Sequence, residues 1–438
     1  MYEILTLDTP GLGDRSYLVH DGRVAVVIDP QRDVDRVLHV LAERQLTLTH
    51  VLETHIHNDY VSGGPALCHA TGAAYVVNQL DPVQTEFVGV RDGDVLEVGG
   101  HLRFRVLATP GHTFTHLAFA LEADGETRAV FTGGSLLYGS TGRPDLLGAD
   151  YAETLARHQF ASAHRLVDEL PSSSAVFPTH GFGSFCSATQ SEGLSSTLDE
   201  ERRANPVLTL DEDTYVKELL AGLDAFPAYY AHMGPANLEG ASAPDFTPPA
   251  LADADEIRQR LERGEWVVDL RHRRAFAHAH VEGTISIGLD GSFATYLGWL
   301  IPWGTPLAVV GGSAEDVAAA QRELVRIGIN RIEATVHGDP SEWARETVST
   351  TRVEFAELAR RPEGAVVLDV RRRLEWEKGH LPGSVHIPLH ELAGRMDEIP
   401  EGVVWVHCQS GYRSSIAASL LARAGRDVVH VDGDFTLL

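Results

Sequence analysis

Through roughly the first 130 residues, short apolar runs alternate with Gly and Asp turns: YLVHDGRVAVVIDP, HVLETH, AAYVVN, DVLEVGGHLRFRVLATPGH and HLAFALEADGETRAVFTGG. Asp-Gly pairs between two apolar runs predict hairpins, because the pair tolerates the positive φ angles of a tight turn. Other stretches keep apolar positions three and four residues apart, as in VDRVLHVLAERQ and YAETLARHQFASAHRLVDEL, which is the spacing of one helix face. Strands and helices mixed in this way predict sheets covered by helices. A Pro, Ala and Ser-rich stretch, EGASAPDFTPPALA, then interrupts the pattern, predicting a first domain over 1–240 and a linker over 241–252.

Beyond that stretch the chain repeats itself. VVDLRHRRAFAHAHVEGTISI (267–287) matches VLDVRRRLEWEKGHLPGSVHI (367–387), with Asp269/Asp369, Arg271/Arg371, His280/His380 and Gly283/Gly383 coinciding. After a short deletion, LAVVGG (307–312) falls on VWVHCQ (404–409) and VRIG (325–328) on ARAG (422–425). Matched residues of four different types in one register predict two tandem α/β units, 253–347 and 348–438.

A length of 438 residues accommodates several domains, and 43% hydrophobic with 22% charged residues describes a globular chain. No run approaches the ~18 apolar residues of a membrane span, and the N-terminus lacks a basic region followed by a long apolar block, so a cytoplasmic protein is expected. The net charge of −26 repels phosphate backbones and anionic lipid surfaces, which argues against nucleic acid and membranes as partners. Self-association into a homo-oligomer is expected. Three cysteines, Cys68, Cys186 and Cys408, cannot build a disulfide framework in a chain of this size. Each is therefore weighed as a thiol: Cys68 in a helical stretch reads as packing, and Cys186 as packing or a second redox sulfur.

Cys408 stands at the end of an apolar strand, in VVWVHCQSGYRSS, just before the helical run IAASLLARAG. Successive backbone N–H groups from Gln409 through Ser410, Gly411 and Tyr412 to Ser414 predict an anion-binding nest, and the helix start adds positive potential. Both favour thiolate over thiol. Arg413 adds a cation with a fork of donors for a sulfur oxyanion. A merely packed cysteine would leave Gly411, Arg413 and the helix start as unrelated accidents. With LDVR and GHLPGSVHIP upstream and a glutamate between them, this unit resembles the rhodanese-type sulfurtransferases, which implies that Cys408 carries a persulfide. In the first unit Gly311 falls at the cysteine position, so that copy resembles an inactive rhodanese homology domain with a structural role.

The N-terminal region holds THIHNDYVSGG (54–64), TPGH (109–112) and PTHG (178–181). His55, His57, His112 and His180, with Asp59, are suitable in type for zinc or iron, and four histidines in such turns outweigh the ordinary reading of a histidine as core or surface. The pattern resembles the metallo-β-lactamase fold. The predicted fold class is thus a multidomain α/β chain: an αββα sandwich followed by two rhodanese-like parallel-sheet domains. With GRPDL (142–146) and E-x-R-x-N-P (201–206), the whole most resembles the persulfide dioxygenase–rhodanese fusion family. That resemblance implies iron at His55, His112 and the Asp of a T-G-D turn, with a low-molecular-weight persulfide, thiosulfate and sulfite as small-molecule partners.

Two departures stand out. The T-G-D turn reads Thr132-Gly133-Gly134, and the last ligand of H-x-H-x-D-H is Tyr60. What remains for one ion, iron or zinc, is His55, His57 and His112, with Asp59 and His180 less firmly placed, and the ion weakly held or dispensed with. Tyr60 either donates to a bound anion or fills the space of a second metal. Two other functions stay open: a metal-dependent thioester hydrolase of the glyoxalase II kind, and an N-terminal domain that only binds or dimerises in service of the rhodanese.

Overall fold

The computed structural model describes residues 2–189 and 193–435. It divides into two compact units, Met1–Pro244 with Val325–Gly328, and Asp245–Leu324 with Ile329–Leu438. In the first unit, strands Glu3–Thr9, Asp14–His20, Val24–Ile28, Thr47–Leu52, Ala74–Asn78 and Val88–Val90 form one six-stranded sheet in chain order. Strands Ser196–Thr197, Ala175–Pro178, Glu126–Gly133, Leu117–Ala123, Leu102–Ala108 and Val95–Val98 form the other, in that spatial order.

Side-chain alternation along these strands builds the layers. Val26 and Ile28 face Phe104, Phe119, Leu121 and Phe131 of the second sheet in one buried cluster. Their neighbours Ala25 and Val27 join Val37, Leu41 and Leu67 from helices Asp35–Glu43 and Gly64–Thr71. On the opposite side Ala118, Ala120 and Val130 pack with Ala156, Ala163 and Leu166 of helix Ala152–Glu169. Both sheets are thus apolar on two faces and sandwiched between helices. The Asp-Gly pairs at 21–22 and 124–125 lie between antiparallel partners, as predicted. Among the described residues no helix is long and apolar enough to cross a membrane.

The second unit contains two five-stranded parallel sheets of identical connectivity. One runs Ala250–Leu251, Ala334–Val336, Leu307–Val310, Trp266–Asp269, Ile285–Ser286; the other runs Thr351–Glu354, Val428–Asp432, Val404–His407, Val366–Asp369, Val385–His386. The repeat persists to single hydrogen bonds. Arg271 and Arg371 each grip an aspartate two residues earlier, Asp269 and Asp369. Each also donates to the carbonyl eight residues on, at Ala279 and Gly379. The stretch expected as a linker does not stay free to its end, since Ala250–Leu251 pairs with Ala334–Val336 as an edge strand.

Because Phe119 lies in the cluster joining both sheets and is fully buried, Phe119→Ala should lower unfolding free energy by about 3–5 kcal/mol. Urea unfolding of the full chain followed by near-UV circular dichroism measures it, and a loss below about 1 kcal/mol would contradict the assignment.

Candidate functional site

Three turns at strand ends bring histidines together. His55 follows strand Thr47–Leu52, His112 follows Leu102–Ala108 and His180 follows Ala175–Pro178. One potential ligand atom from each lies within 4.8 Å of the others, and all three residues are buried. A ligating imidazole needs one nitrogen tied down and the other free. His112 Nδ1–H donates to the Arg143 carbonyl at 2.8 Å, and its buried Nε2 has no hydrogen-bond partner among the described residues. His55 Nδ1 lies 2.9 Å from Thr54 Oγ1, and its Nε2 is 3.4 Å from His180 Nε2. Asp14 at 2.9 Å and Asp59 at 3.2 Å hold His180 Nδ1. Burial, with His180 nearby, presses His112 down to about 3, so its ring is neutral. Three imidazoles so arranged fit a single ion.

His57 stands differently. Its Nε2 is 3.2 Å from Glu53 Oε2, 3.3 Å from Asp29 Oδ1 and 3.0 Å from the Tyr60 hydroxyl. Burial opposes a charge there, yet the carboxylates of Asp29 and Glu53 prevail and raise His57 to about 9. With Asp59 it joins a second group, His57–Asp59–His180, that overlaps the first at His180. The expected trio of His55, His57 and His112 is therefore not the set that converges; His180 takes the third place. Tyr60 is fully buried, stacks on the His57 ring at 4.3 Å and donates to the Asp29 carbonyl at 3.2 Å. Its hydroxyl is thus engaged by His57 and the Asp29 carbonyl. Asp59 remains a carboxylate beside the histidines, but as the partner of His180 Nδ1.

Gly134 leaves no room for the side chain it lacks. A Cβ there would sit 2.7 Å from His112 Cγ, so the His112 ring occupies that space. His116 is no ligand, since its Nε2 accepts from the Gly134 N–H at 3.0 Å and its Nδ1 meets Thr109 Oγ1 at 2.9 Å. The GRPDL and N-P motifs are supports. Arg143 is buried, paired with Asp145 and bonded to the Asp224 carbonyl. Asn205 holds the carbonyls of Leu137 and Ser140. Cys186 is fully buried, and burial pushes its thiol well up. Cys68, half-buried, is likewise raised to about 12.

In the second unit Cys408 ends strand Val404–His407, and helix Tyr412–Arg423 starts after Gly411, whose φ of 97° only glycine adopts freely. The Gly411 N–H lies 3.2 Å from Cys408 Sγ, and Ser414 Oγ is 3.5 Å away. Gln409 and Ser410 are exposed, while Ser414 is buried. Arg413 is not free as expected. Its two terminal nitrogens clasp Glu375 at 2.6 and 2.7 Å, a bidentate pair that absorbs those donors. Burial would raise Glu375, but Arg413 overrides it and holds the carboxyl at about 2. In the other copy, a Cβ on Gly311 would meet Arg271 Cγ and Asp269 Oδ1 at 2.8 Å.

The metallo-beta-lactamase superfamily profile matches residues 10–180, and the rhodanese-like domain profile matches 352–437. The chain is 30% identical over 208 residues to human mitochondrial persulfide dioxygenase ETHE1, covering 47% of this chain and 73% of that protein. The chain belongs to the persulfide dioxygenase–rhodanese fusion family. It is also 34% identical over 216 residues to a hydroxyacylglutathione hydrolase from Cereibacter sphaeroides, covering 47% of this chain and 74% of the relative. A solved metallo-beta-lactamase from Staphylococcus aureus superposes on 77% of this chain and 99% of its own length, with a TM-score of 0.68 at 28% identity.

Three imidazoles converge where the resemblance implied two histidines and an aspartate, and Gly134 stands in the turn where that aspartate was expected. Asp14, Arg143 and Glu375 are supports to which motif reading gave no role; Arg143 lay inside GRPDL and Glu375 inside the quoted repeat 367–387, whereas Asp14 lay in no quoted motif. Since His180 is shared by both histidine groups, His180→Ala should lower metal content at least as far as His112→Ala, roughly tenfold or more. Mass spectrometry of anaerobically purified protein checks this, and a His180→Ala protein with undiminished metal would refute the trio. The Glu375–Arg413 pair makes a pH prediction. A carboxyl near 4.3 when unfolded and about 2 when folded stabilises fully above the first value and loses that contribution as pH falls through the second. Glu375→Gln should therefore bring acid unfolding of the C-terminal unit to higher pH, read by tryptophan fluorescence.

Proposed function

We propose that this chain is a cytoplasmic enzyme of persulfide and sulfane-sulfur metabolism, with Cys408 as the nucleophile that carries the sulfur. The supporting observation is the placement of Cys408 Sγ at a strand end, 3.2 Å from the Gly411 N–H at a helix start. The Cys408 thiolate attacks the outer sulfur of a low-molecular-weight persulfide; that S–S bond breaks, a new one forms to Cys408, and the thiol departs with the proton. Sulfite then attacks the outer sulfur of the Cys408 persulfide, thiosulfate leaves, and the electron pair returns to Sγ. Both steps exchange one S–S bond for another and need no external oxidant.

In the N-terminal domain, His55, His112 and His180 would hold one ion, with Asp14 and Asp59 behind His180 and the Arg143 carbonyl behind His112. When bound, that ion supplies a Lewis acid for an anionic sulfur or a water molecule. The trio His55, His112 and His180 brings no carboxylate to a two-His-one-carboxylate centre of the kind that binds Fe(II) on one face, whereas the overlapping group His57–Asp59–His180 combines two histidines with one carboxylate. A second reading, thioester hydrolysis, is favoured by the likeness to hydroxyacylglutathione hydrolase.

Incubation with glutathione persulfide should add one sulfur atom to the intact mass of the protein. Cys408→Ala should abolish that gain and lower thiosulfate formation by roughly 10³-fold or more. Persistence of both would overturn the assignment. Sulfite formation with O2 uptake from glutathione persulfide would place oxygenation in this domain, whereas metal-dependent cleavage of an acyl-glutathione thioester without O2 would support the hydrolase.

A further inference from the structure

The repeat without a nucleophile holds the loop of the repeat that has one, and the contact falls on a single peptide unit. Arg273 Nη2 donates to the Ser410 carbonyl at 3.3 Å. The N–H at the other end of that peptide, on Gly411, lies 3.2 Å from Cys408 Sγ. A trans peptide is planar and points its C=O and N–H in opposite directions, so a group that fixes the carbonyl also fixes the line of the N–H.

The guanidinium is itself anchored. Its Nε donates to Asp432 at 2.8 Å and its Nη1 to Asp290 at 3.0 Å. The fit is close, because a Cβ on Gly411 would collide with Asp432 Oδ1 and come within 3.0 Å of Arg273 Nε. Other bonds from the first repeat steady the same segment: the Tyr412 hydroxyl donates to the Gly288 carbonyl at 2.8 Å, Ser286 Oγ pairs with Ser415 Oγ at 2.8 Å, and the Ser286 N–H donates to Ser419 Oγ at 3.1 Å. Arg373, at the equivalent place in the second repeat, is half exposed and pairs with Glu377 of its own helix. The contacts of Arg273 are therefore not dictated by the common plan of the repeat.

Among the charged and titratable groups around the loop, Arg413 and Glu375 pair with each other, and Asp432 is shared by Arg273, Arg274 and Arg352. Burial lowers His407 and His430, the latter to about 4, so neither carries charge at neutral pH. Of the arginines named, Arg273 is the one that bonds a backbone carbonyl of the loop.

We propose that Arg273, carried by the repeat without a nucleophile, is a positioning residue of the Cys408 site: by holding the Ser410 carbonyl it keeps the Gly411 N–H trained on Cys408 Sγ while that sulfur is anionic. This rests on Cys408 as the sulfur carrier. The sulfur is anionic at two points, before it attacks the outer sulfur of a persulfide and again when thiosulfate leaves. At both, the Gly411 N–H donates to it, and a cation on the far end of the amide polarises that N–H and strengthens the bond. Arg273 itself exchanges no proton.

Alkylation of Cys408 by iodoacetamide, read on the Cys408 peptide by mass spectrometry, would be followed against pH in the full-length protein, in Arg273→Gln and in Arg274→Gln. The Arg273→Gln curve should lie about one pH unit above that of the unaltered protein, the size of one weakened hydrogen bond to a charged group. Its kcat/KM for loading by glutathione persulfide should be about tenfold lower at neutral pH and within about twofold at a pH above both midpoints. Arg274→Gln, which gives up a bond to Asp432 but none to the loop backbone, should leave the curve in place. A loss that persists at every pH would mean that Arg273 only braces the fold, and an unshifted curve, or an equal shift in Arg274→Gln, would mean that the Ser410 carbonyl is not the route; each overturns the proposal. If the unaltered protein moved no sulfur through Cys408, the carrier reading itself would fall, an outcome told apart by the alkylation curves, which require no sulfur transfer.

Discussion

The metal region of the first unit hangs on the carboxylate of Asp29. This residue ends strand Val24–Ile28 with a φ of 51°, a left-handed conformation costly for a side chain with a Cβ. What holds it there is a set of donors from both sheets. Thr54 N–H and Oγ1 come from the turn after Thr47–Leu52, at 2.7 and 2.8 Å, and Thr179 Oγ1 from the turn after Ala175–Pro178. Thr54 precedes His55 and Thr179 precedes His180, so one anion sets the separation of two histidines that belong to different sheets. Burial raises the Asp29 carboxyl, but His57 and these donors outweigh it and keep the group ionised. Removing the charge would release both turns together.

The same economy runs through the second unit, where charges are spent on geometry. Asp269 and Asp369 each consume an arginine in the same way, and Asp432, fully buried, holds Arg273 and Arg352. Glu375 does so for Arg413. The Cys408 loop is therefore surrounded by cations whose counter-ions are already in place, and what it offers a substrate is mainly backbone N–H dipoles and neutral hydroxyls. Such a site is selective by donor position more than by net charge.

Much of the architecture could be read from the chain before any coordinates. Apolar runs with Asp-Gly turns foretold the hairpins, since both signals are local. The repeat foretold two sheets of equal connectivity, because Asp269/Asp369 and Arg271/Arg371 hold the same bonds in each copy. Less legible was the choice among histidines. His57 and His180 are equally good ligands by type, and only folding reveals that Glu53 and Asp29 claim His57 while Asp14 backs His180. Asp14 and His180 are 166 residues apart, beyond the reach of motif spacing. Glu53 stands four residues before His57 and was visible, but its meaning depends on the strand end that brings Asp29 beside it. The role of Tyr60 was open for the same reason, as a phenol's partner is a property of the fold.

The two glycines at the lost positions share a further consequence. His112 leans into the space beside Gly134, and Arg271 with Asp269 closes the space beside Gly311. A single codon change that restored an aspartate or a cysteine would find the volume taken, so recovery of either old chemistry requires a neighbour to withdraw at the same time. Close packing thus defends both glycines: each position is held empty by the side chains that lean over it.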